Sequence, residues 1–483
     1  MSERQADTII KGGLVATGDG VRRADIVIEG GSIAAVVPDA SATPAARVID
    51  ATGRYVLPGA VDAHCHPVNS DRIDSMSMTA AFGGITTVIP FMGNVRAWGW
   101  TGDTVDIMHR FIDEAERTSY LDFAIHGVFT PADKETYRRS VGELVRMGVT
   151  SFKMFMAYSR RGMMTPDDML LDIMSLAAYD GGLAQVHAET GCCIDFLIDR
   201  FTEAGQTSPD FFGPSQPNML EVEALTRAAT FSAVAGAPLY PVHLSARETP
   251  AALRHFREMD KAPLYAETCP HYLTLTNEEI LTKGALAKCG PPLREEEDTE
   301  AMWQAVADGT INVIASDSCG LASGQKLTGG MSEQSPGASV LEGPVSIFEG
   351  SFGLNTIEFM VPVVWTRGVN AGRITLPRLV QTLCENPAKI FGLWPRKGAL
   401  LPGSDADVAI WDPAKTHVVD KQHGNTDFSS FEGFELLGMP EVVMQRGEVV
   451  VQHGTLVGGQ GRARFLKGDA NAAPYAQGGP VVV

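Results

Sequence analysis

Eight apolar runs of strand length, separated by stretches of helical texture, fill the middle of this chain. They span residues 55–64, 85–91, 122–129, 149–156, 183–188, 238–244, 263–268 and 311–317. Between them lie amphipathic stretches such as 104–117, 134–147, 166–178, 220–235, 249–259 and 298–307. Strands covered on both faces read as continuous apolar runs, and the helices that cover them show the 3.6-residue period. Eight such units predict an α/β fold of the (β/α)8 or TIM-barrel type. A doubly wound open sheet is the competing arrangement. It calls for a glycine-rich phosphate loop after its first strand, and Pro58-Gly59-Ala60-Val61 is not one.

The two ends have a different texture. Short β-prone runs at 8–10, 13–16, 24–29 and 32–37 are punctuated by Asp19-Gly20 and Gly30-Gly31. The far end repeats the pattern at 407–411, 441–445 and 448–452, with Arg446-Gly447 between the last two. The expected organisation is a barrel over 55–397 and one smaller β-sandwich built from 1–54 and 398–467. Two separate small β-units are the alternative. Residues 468–483, rich in Gly, Ala and Pro, read as a flexible tail or docking arm, and 319–343 as a long loop after the eighth strand. A length of 483 residues suits a large barrel plus a smaller unit.

The formal charge of −19 argues against nucleic-acid or anionic-membrane partners, which need clustered basic charge. The seven cysteines form no C-x-x-C pair, so a reduced, cytoplasmic protein is expected rather than a disulfide framework. The first residues lack a basic-then-apolar signal pattern, and no apolar stretch approaches the roughly 20 residues of a membrane span.

The ends of the strand-like runs carry the chemistry. His64 and His66 flank Cys65. On a strand, residues i and i+2 share a face, which suits two ligands on one metal. His187, His243 and Asp317 close three further runs. Singly, each histidine reads as a buried structural side chain and the aspartate as a helix N-cap. Together, at the end of the barrel where such folds build active sites, they read as a metal site. Lys153 stands inside Ser151-Phe152-Lys153-Met154-Phe155-Met156. It either snorkels to solvent or is chemically altered, because an ammonium would be repelled by cations. A neutral amine that takes up CO2 becomes a carbamate, whose two oxygens can bridge two metals.

At this point the chain resembles the cyclic amidases of the amidohydrolase superfamily: dihydropyrimidinase, hydantoinase and allantoinase. Asp62-Ala63-His64-Cys65-His66, the Lys153 strand running on to Ala157-Tyr158, and His187-Ala188-Glu189 carry the resemblance. So do Asn386-Pro387-Ala388-Lys389-Ile390-Phe391-Gly392 and Pro402-Gly403-Ser404-Asp405-Ala406-Asp407. The resemblance implies two divalent ions, zinc or else manganese or another, and a CO2-derived carbamate on Lys153. His64, His66, Lys153 and Asp317 would hold the more buried ion, and His187 and His243 with Lys153 the second. A hydroxide between the ions would open the ring of a dihydropyrimidine, hydantoin or related cyclic ureide or imide. Asp317 would carry the proton and Tyr158 would donate to the oxyanion. Asn355 and the backbone at Cys289-Gly290 would contact the substrate amide. A homotetramer is likewise implied.

Departures from the family pattern bear on the substrate. Glu267-Thr268-Cys269-Pro270-His271-Tyr272-Leu273 and Lys288-Cys289-Gly290-Pro291-Pro292 look more like allantoinase. Ser318 follows Asp317 where relatives usually have histidine, and the loop after His66 is short. That loop and residues 93–100, with Trp98 and Trp100, are expected to shape the side-group pocket. Allantoinase, an acyclic amidase and a non-catalytic scaffold related to dihydropyrimidinase are the alternatives; the scaffold reading fits poorly, since such relatives lack the ligands present here.

Overall fold

The computed structural model describes residues 5–327 and 346–474. Its centre is a ring of eight parallel strands in chain order. Ala60–Cys65, Ile85–Gly93, His126–Val128, Ser151–Phe155, Leu183–His187 and Leu239–Pro241 are hydrogen-bonded neighbours in that sequence. Glu267–Thr268 pairs with Val313–Ile314. Two parallel bridges complete the circuit, Leu239 with Leu264 and Cys65 with Ser318. Ser318 therefore closes the ring: its hydroxyl accepts from Thr356 N at 3.2 Å.

Helices cover the ring as the sequence pattern requires. Thr104–Thr118 shows why: the Asp103 carboxylate accepts from Val105 N and Asp106 N and so caps the first turn. Ile107, Met108, Phe111 and Ala115 then fall on one buried stripe. Phe111 meets Phe123 edge-on at 6.1 Å, and burying such a ring is worth about 1.5–3 kcal/mol. Among the described residues no helix is long and apolar enough to cross a membrane.

Both termini build one nine-stranded sheet. Ala6–Thr17 pairs with Gly20–Glu29, Ala45–Asp50 and Tyr55–Pro58, and Tyr55–Pro58 joins Val408–Val418 from the far end. The two halves share a core of Ile10, Ile26, Val56, Val408, Ile410 and Met444. The first apolar run is thus split. Residues 55–58, expected as the start of the first barrel strand, belong to the terminal sheet. The cause is Gly59: its N–H donates to Asp407 O at 2.9 Å, and a Cβ there would meet Thr86 Oγ1 at 2.1 Å. The chain can change sheets only where no side chain intervenes.

A buried ion cluster joins the two units. Lys397 Nζ lies 2.7 Å from Asp122 Oδ2 in the third-strand region, and 2.8 and 2.9 Å from the Oδ2 atoms of Asp407 and Asp405. On the barrel floor the chain returns a last time, with Leu466 N donating to Phe123 O at 2.7 Å and Gly468 N to Gly148 O at 2.9 Å. Within the expected loop 319–343, Ser323–Leu327 is a short helix. The remainder from 328, and residues 475–483 of the expected tail, lie outside the described residues.

Candidate active site

At the mouth of the ring, the C-terminal strand ends bring six residues to one cavity wall: His64, His66, Lys153, His187, His243 and Asp317. The Nε2 atoms of His64 and His66 lie 3.2 Å apart. Asp317 Oδ1 is 3.0 Å from the first and 3.2 Å from the second. Across the mouth His187 Nδ1 faces His243 Nε2 at 2.9 Å. The His64 and His243 rings, 5.4 Å apart, connect the two groups. Backbone strain helps to aim them: His243 and Asp317 have φ of 41° and 46°, and Tyr158 has 67°. A left-handed conformation costs a residue with a side chain roughly 1–2 kcal/mol, and such outliers gather at functional sites.

Carboxylates behind the histidines fix their orientation. His64 Nδ1 donates to Glu267 Oε1 at 2.7 Å, which leaves Nε2 to face the cavity. Glu267 also accepts from His243 N at 3.0 Å and Tyr240 Oη at 2.9 Å. His187 Nε2 donates to Glu189 Oε2 at 2.7 Å, turning Nδ1 inward. Asp62 ties the first strand to the eighth, accepting from Ser316 N at 2.9 Å and Ser316 Oγ at 2.6 Å.

The electrostatics set the groups apart. Burial raises the Asp317 carboxyl, but the His64 charge and the hydrogen bonds from His64 and His66 outweigh it and hold the group well below its ordinary value. Burial pulls His64 down, while Asp317 and Glu267 carry it up to about 9. Burial lowers His66 to about 4 and holds His243 well below the usual imidazole range. Lys153 is fully buried, and burial brings its ammonium down to about 8. Among the described residues that ammonium has no hydrogen bond or ion pair; it rests over Phe91 and Phe155, 4.8 and 5.2 Å from the ring centroids.

The donor set fits divalent metal. His64, His66 and Asp317 offer two nitrogens and an oxygen within 4.8 Å of one another, the ligand types zinc takes. Among the described residues, the buried Nδ1 atoms of His66 and His243 have no hydrogen-bond partner.

The other expected residues divide. Tyr158 and Gly290 line the same cavity. Gly290 must be glycine, since a Cβ would lie 2.3 Å from Tyr158 Oη. Trp98 also lines the cavity, its ring 5.3 Å from that of His66, whereas Trp100 turns away under Arg72 and Arg110. Cys289 and Asn355 stand behind the wall. Cys289 Sγ is 3.1 Å from Pro291 O. Asn355 uses its amide on Leu321 and Phe428, so it fastens loops together. Glu267 and Glu189 were not singled out from sequence. An acidic residue in an apolar strand end is the same oddity that marks Lys153, and Glu189 stands two residues from His187 as His66 does from His64.

A closed eight-stranded barrel with this histidine–aspartate mouth is the architecture of metal-dependent hydrolases. The chain belongs to the amidohydrolase family, whose model matches residues 55–450. Within it, the chain is 36% identical over 476 residues to D-hydantoinase of Rhizobium radiobacter, covering 95% of this chain and 98% of that one. It is 35% identical over 477 residues to D-hydantoinase of Streptomyces coelicolor, covering 95% and 97%. Among solved structures, dihydropyrimidinase from Brevibacillus agri superposes with a TM-score of 0.86 at 30% identity, covering 96% of this chain and 99% of that chain. L-hydantoinase (dihydropyrimidinase) from Arthrobacter aurescens gives 0.87 at 30%, covering 96% and 100%.

Proposed function

We propose that this chain hydrolyses the ring amide of a hydantoin, dihydropyrimidine or related cyclic ureide in a metal-dependent reaction. The observation that carries the reading is the pair of ligand groups, His64–His66–Asp317 and His187–His243, with the buried Lys153 ammonium left unpaired beside them. Residues His64, His66 and Asp317 would hold one divalent ion, and His187 and His243 a second. Lys153 would link them as a carbamate, formed when its neutral amine adds CO2 and loses a proton. Burial favours the neutral amine. The ions, zinc or manganese, would supply Lewis acidity and make water acidic near neutral pH.

The remaining roles belong to side chains. Asp317 Oδ would accept the proton of the attacking water and return it to the ring nitrogen as the C–N bond breaks. Water thus adds across the amide to give a carboxylic acid and a freed N–H. Tyr158 Oη, held neutral by burial, would donate to the carbonyl oxygen as charge builds there. Glu267 and Glu189 keep the His64 and His187 tautomers fixed through the cycle.

The test is turnover of dihydrouracil, 5-substituted hydantoins and allantoin by full-length protein, with metal quantified per chain. Ring opening of a hydantoin or dihydrouracil, dependent on bound metal, is expected. Protein holding two ions per chain that opens none of these rings would refute the reading, and preferential opening of allantoin would reassign the ring.

A further inference from the structure

Among the described residues, Arg161 is the one side chain of this cavity that neither the proposed ligand groups nor the proton path uses and that still carries an unpaired charge. It lines that cavity with Lys153, His187 and Asp317, and it also lines a neighbouring cavity of about 540 Å³. Among the described residues its guanidinium makes no hydrogen bond or ion pair. Two aromatic rings hold it instead: its Cζ lies 4.7 Å from the Phe352 centroid and 5.5 Å from that of Tyr158. A guanidinium fixed by its faces keeps its N–H groups free along its edges.

The surroundings hold this clamp in place. Lys288 and Lys326 are buried close by, and both spend their ammonium groups on backbone carbonyls. Lys288 Nζ donates to Phe348 O and Gly350 O at 3.1 and 2.6 Å. Lys326 Nζ donates to Lys288 O and Gly353 O, both at 2.6 Å. These bonds fix the segment that presents Phe352, while burial pushes both ammonium groups down, Lys326 to about 7, so the lasting positive charge here is that of Arg161. The acidic residues of the larger cavity are mostly committed elsewhere: Glu189 to His187, and Asp195 to Arg160 and Ser159. Asp199 is likewise paired with Arg160, and Glu349 also lines the cavity. The charge that matters is therefore local: one guanidinium edge on the wall shared by the two cavities is what an anionic side group would meet.

Resting on the hydrolase reading above, we propose that Arg161 is a specificity residue that selects cyclic amides bearing an anionic, carboxylate-containing side group. The ring would sit at the histidine–aspartate mouth. The side group would reach toward the Tyr158–Phe352 clamp, where the free edge of the guanidinium receives a carboxylate in two parallel hydrogen bonds.

The experiment compares hydantoin-5-acetic acid with its near-isosteric amide, hydantoin-5-acetamide, using metal-loaded full-length enzyme. Wild type is expected to favour the acid in kcat/KM, with the preference shrinking as salt is raised. Arg161→Gln should lower the acid-to-amide ratio roughly tenfold to a hundredfold, the range of a charge-assisted bond. Arg161→Lys should retain part of the ratio. Arg161→Glu should shift preference to a hydantoin carrying an aminoethyl group. An unchanged ratio in Arg161→Gln overturns the proposal. So does an equal loss on both substrates, which would place Arg161 on the ring or on the product carboxylate. If wild type opens neither ring, the hydrolase reading fails. Calorimetric binding of the acid and the amide to wild type and Arg161→Gln then decides the anion preference separately.

Discussion

Replacing Lys397 by methionine tests how the barrel and the terminal sheet are held together. The ammonium is fully buried between Asp122, Asp405 and Asp407. Removing it does not affect the three carboxylates equally. Asp122 keeps Arg446 and the N–H of Arg464 at 2.9 Å. Asp405 is partly exposed and keeps Arg396 at 3.0 Å. Asp407 keeps only the Arg446 N–H on Oδ1 at 2.8 Å, so its Oδ2 loses its partner. Stripping one member from a buried ion cluster costs about 3–5 kcal/mol. Protonation of Asp407 limits that cost, because neutralising an ordinary carboxyl at pH 7 takes about 4 kcal/mol. We therefore expect a loss of about 3–4 kcal/mol. Urea titration can follow it through Trp365 and Trp411, whose rings lie 5.1 Å apart. Asp407→Asn added to Lys397→Met should restore most of the loss. The pH dependence has a definite sign. The Lys397 value is raised: burial lowers it, but Asp407, Asp122 and Asp405 prevail. Its contribution is full below the unfolded lysine value of about 10.4 and is lost as pH rises through the higher folded value. On the acid side Asp122, lowered, loses its contribution as pH falls through its folded value, while Asp407, raised, works in the opposite sense. The gap between wild type and Lys397→Met should thus narrow as pH falls below about 7, where protonating Asp407 becomes easier, and close again above about pH 10. A loss under about 1 kcal/mol, or no recovery in the double variant, would refute the reasoning.

Four substitutions probe the mouth. Lys153→Ala should abolish two-ion loading while leaving the fold's circular dichroism intact; retention of two ions per chain would remove the carbamate link. Tyr158→Phe should keep its metal and lose roughly 10²–10³ in kcat, the usual effect of one oxyanion donor, so a near-normal kcat would clear Tyr158 of that role. Gly290→Ala drives a methyl against Tyr158 Oη and the Phe352 ring, at 2.3 and 3.0 Å; its kcat should fall with unchanged metal content. Glu267→Gln weakens the bond that orients His64, and metal affinity should drop roughly 10–100-fold, measured by competition with a chelator.

Much of the fold was legible because burial leaves a strong imprint on strands covered on both faces. All eight barrel strands coincide with apolar runs, and the candidate ligands lie on them or just past their C-terminal ends. What escaped notice has a physical cause in each instance. Ala45–Asp50 is a strand whose side chains are mostly exposed, so no apolar period marks it. The split of the first run at Gly59 depends on how close Thr86 comes, a contact between segments that no local pattern encodes. The candidate ligands stand out one by one because each is an oddity in an apolar strand. Their carboxylate partners were harder, since Glu267 matters through three contacts to residues 24, 27 and 203 positions away.

Arg161 belongs to the same class of hidden residue. In sequence it is one of two adjacent arginines in a polar stretch, where a solvated side chain is the ordinary expectation. Its neighbour Arg160 meets that expectation, exposed and paired with Asp195 and Asp199. Only the fold separates them, by carrying Phe352 across from a segment 191 residues later and closing it over the guanidinium. Substrate choice in a barrel of this kind is written in the loops above the ring, where chain-distant segments meet. The chemistry is written at the strand ends, where position alone suffices. A change at Arg161 should therefore alter which side group is accepted while leaving the strand-end residues in place.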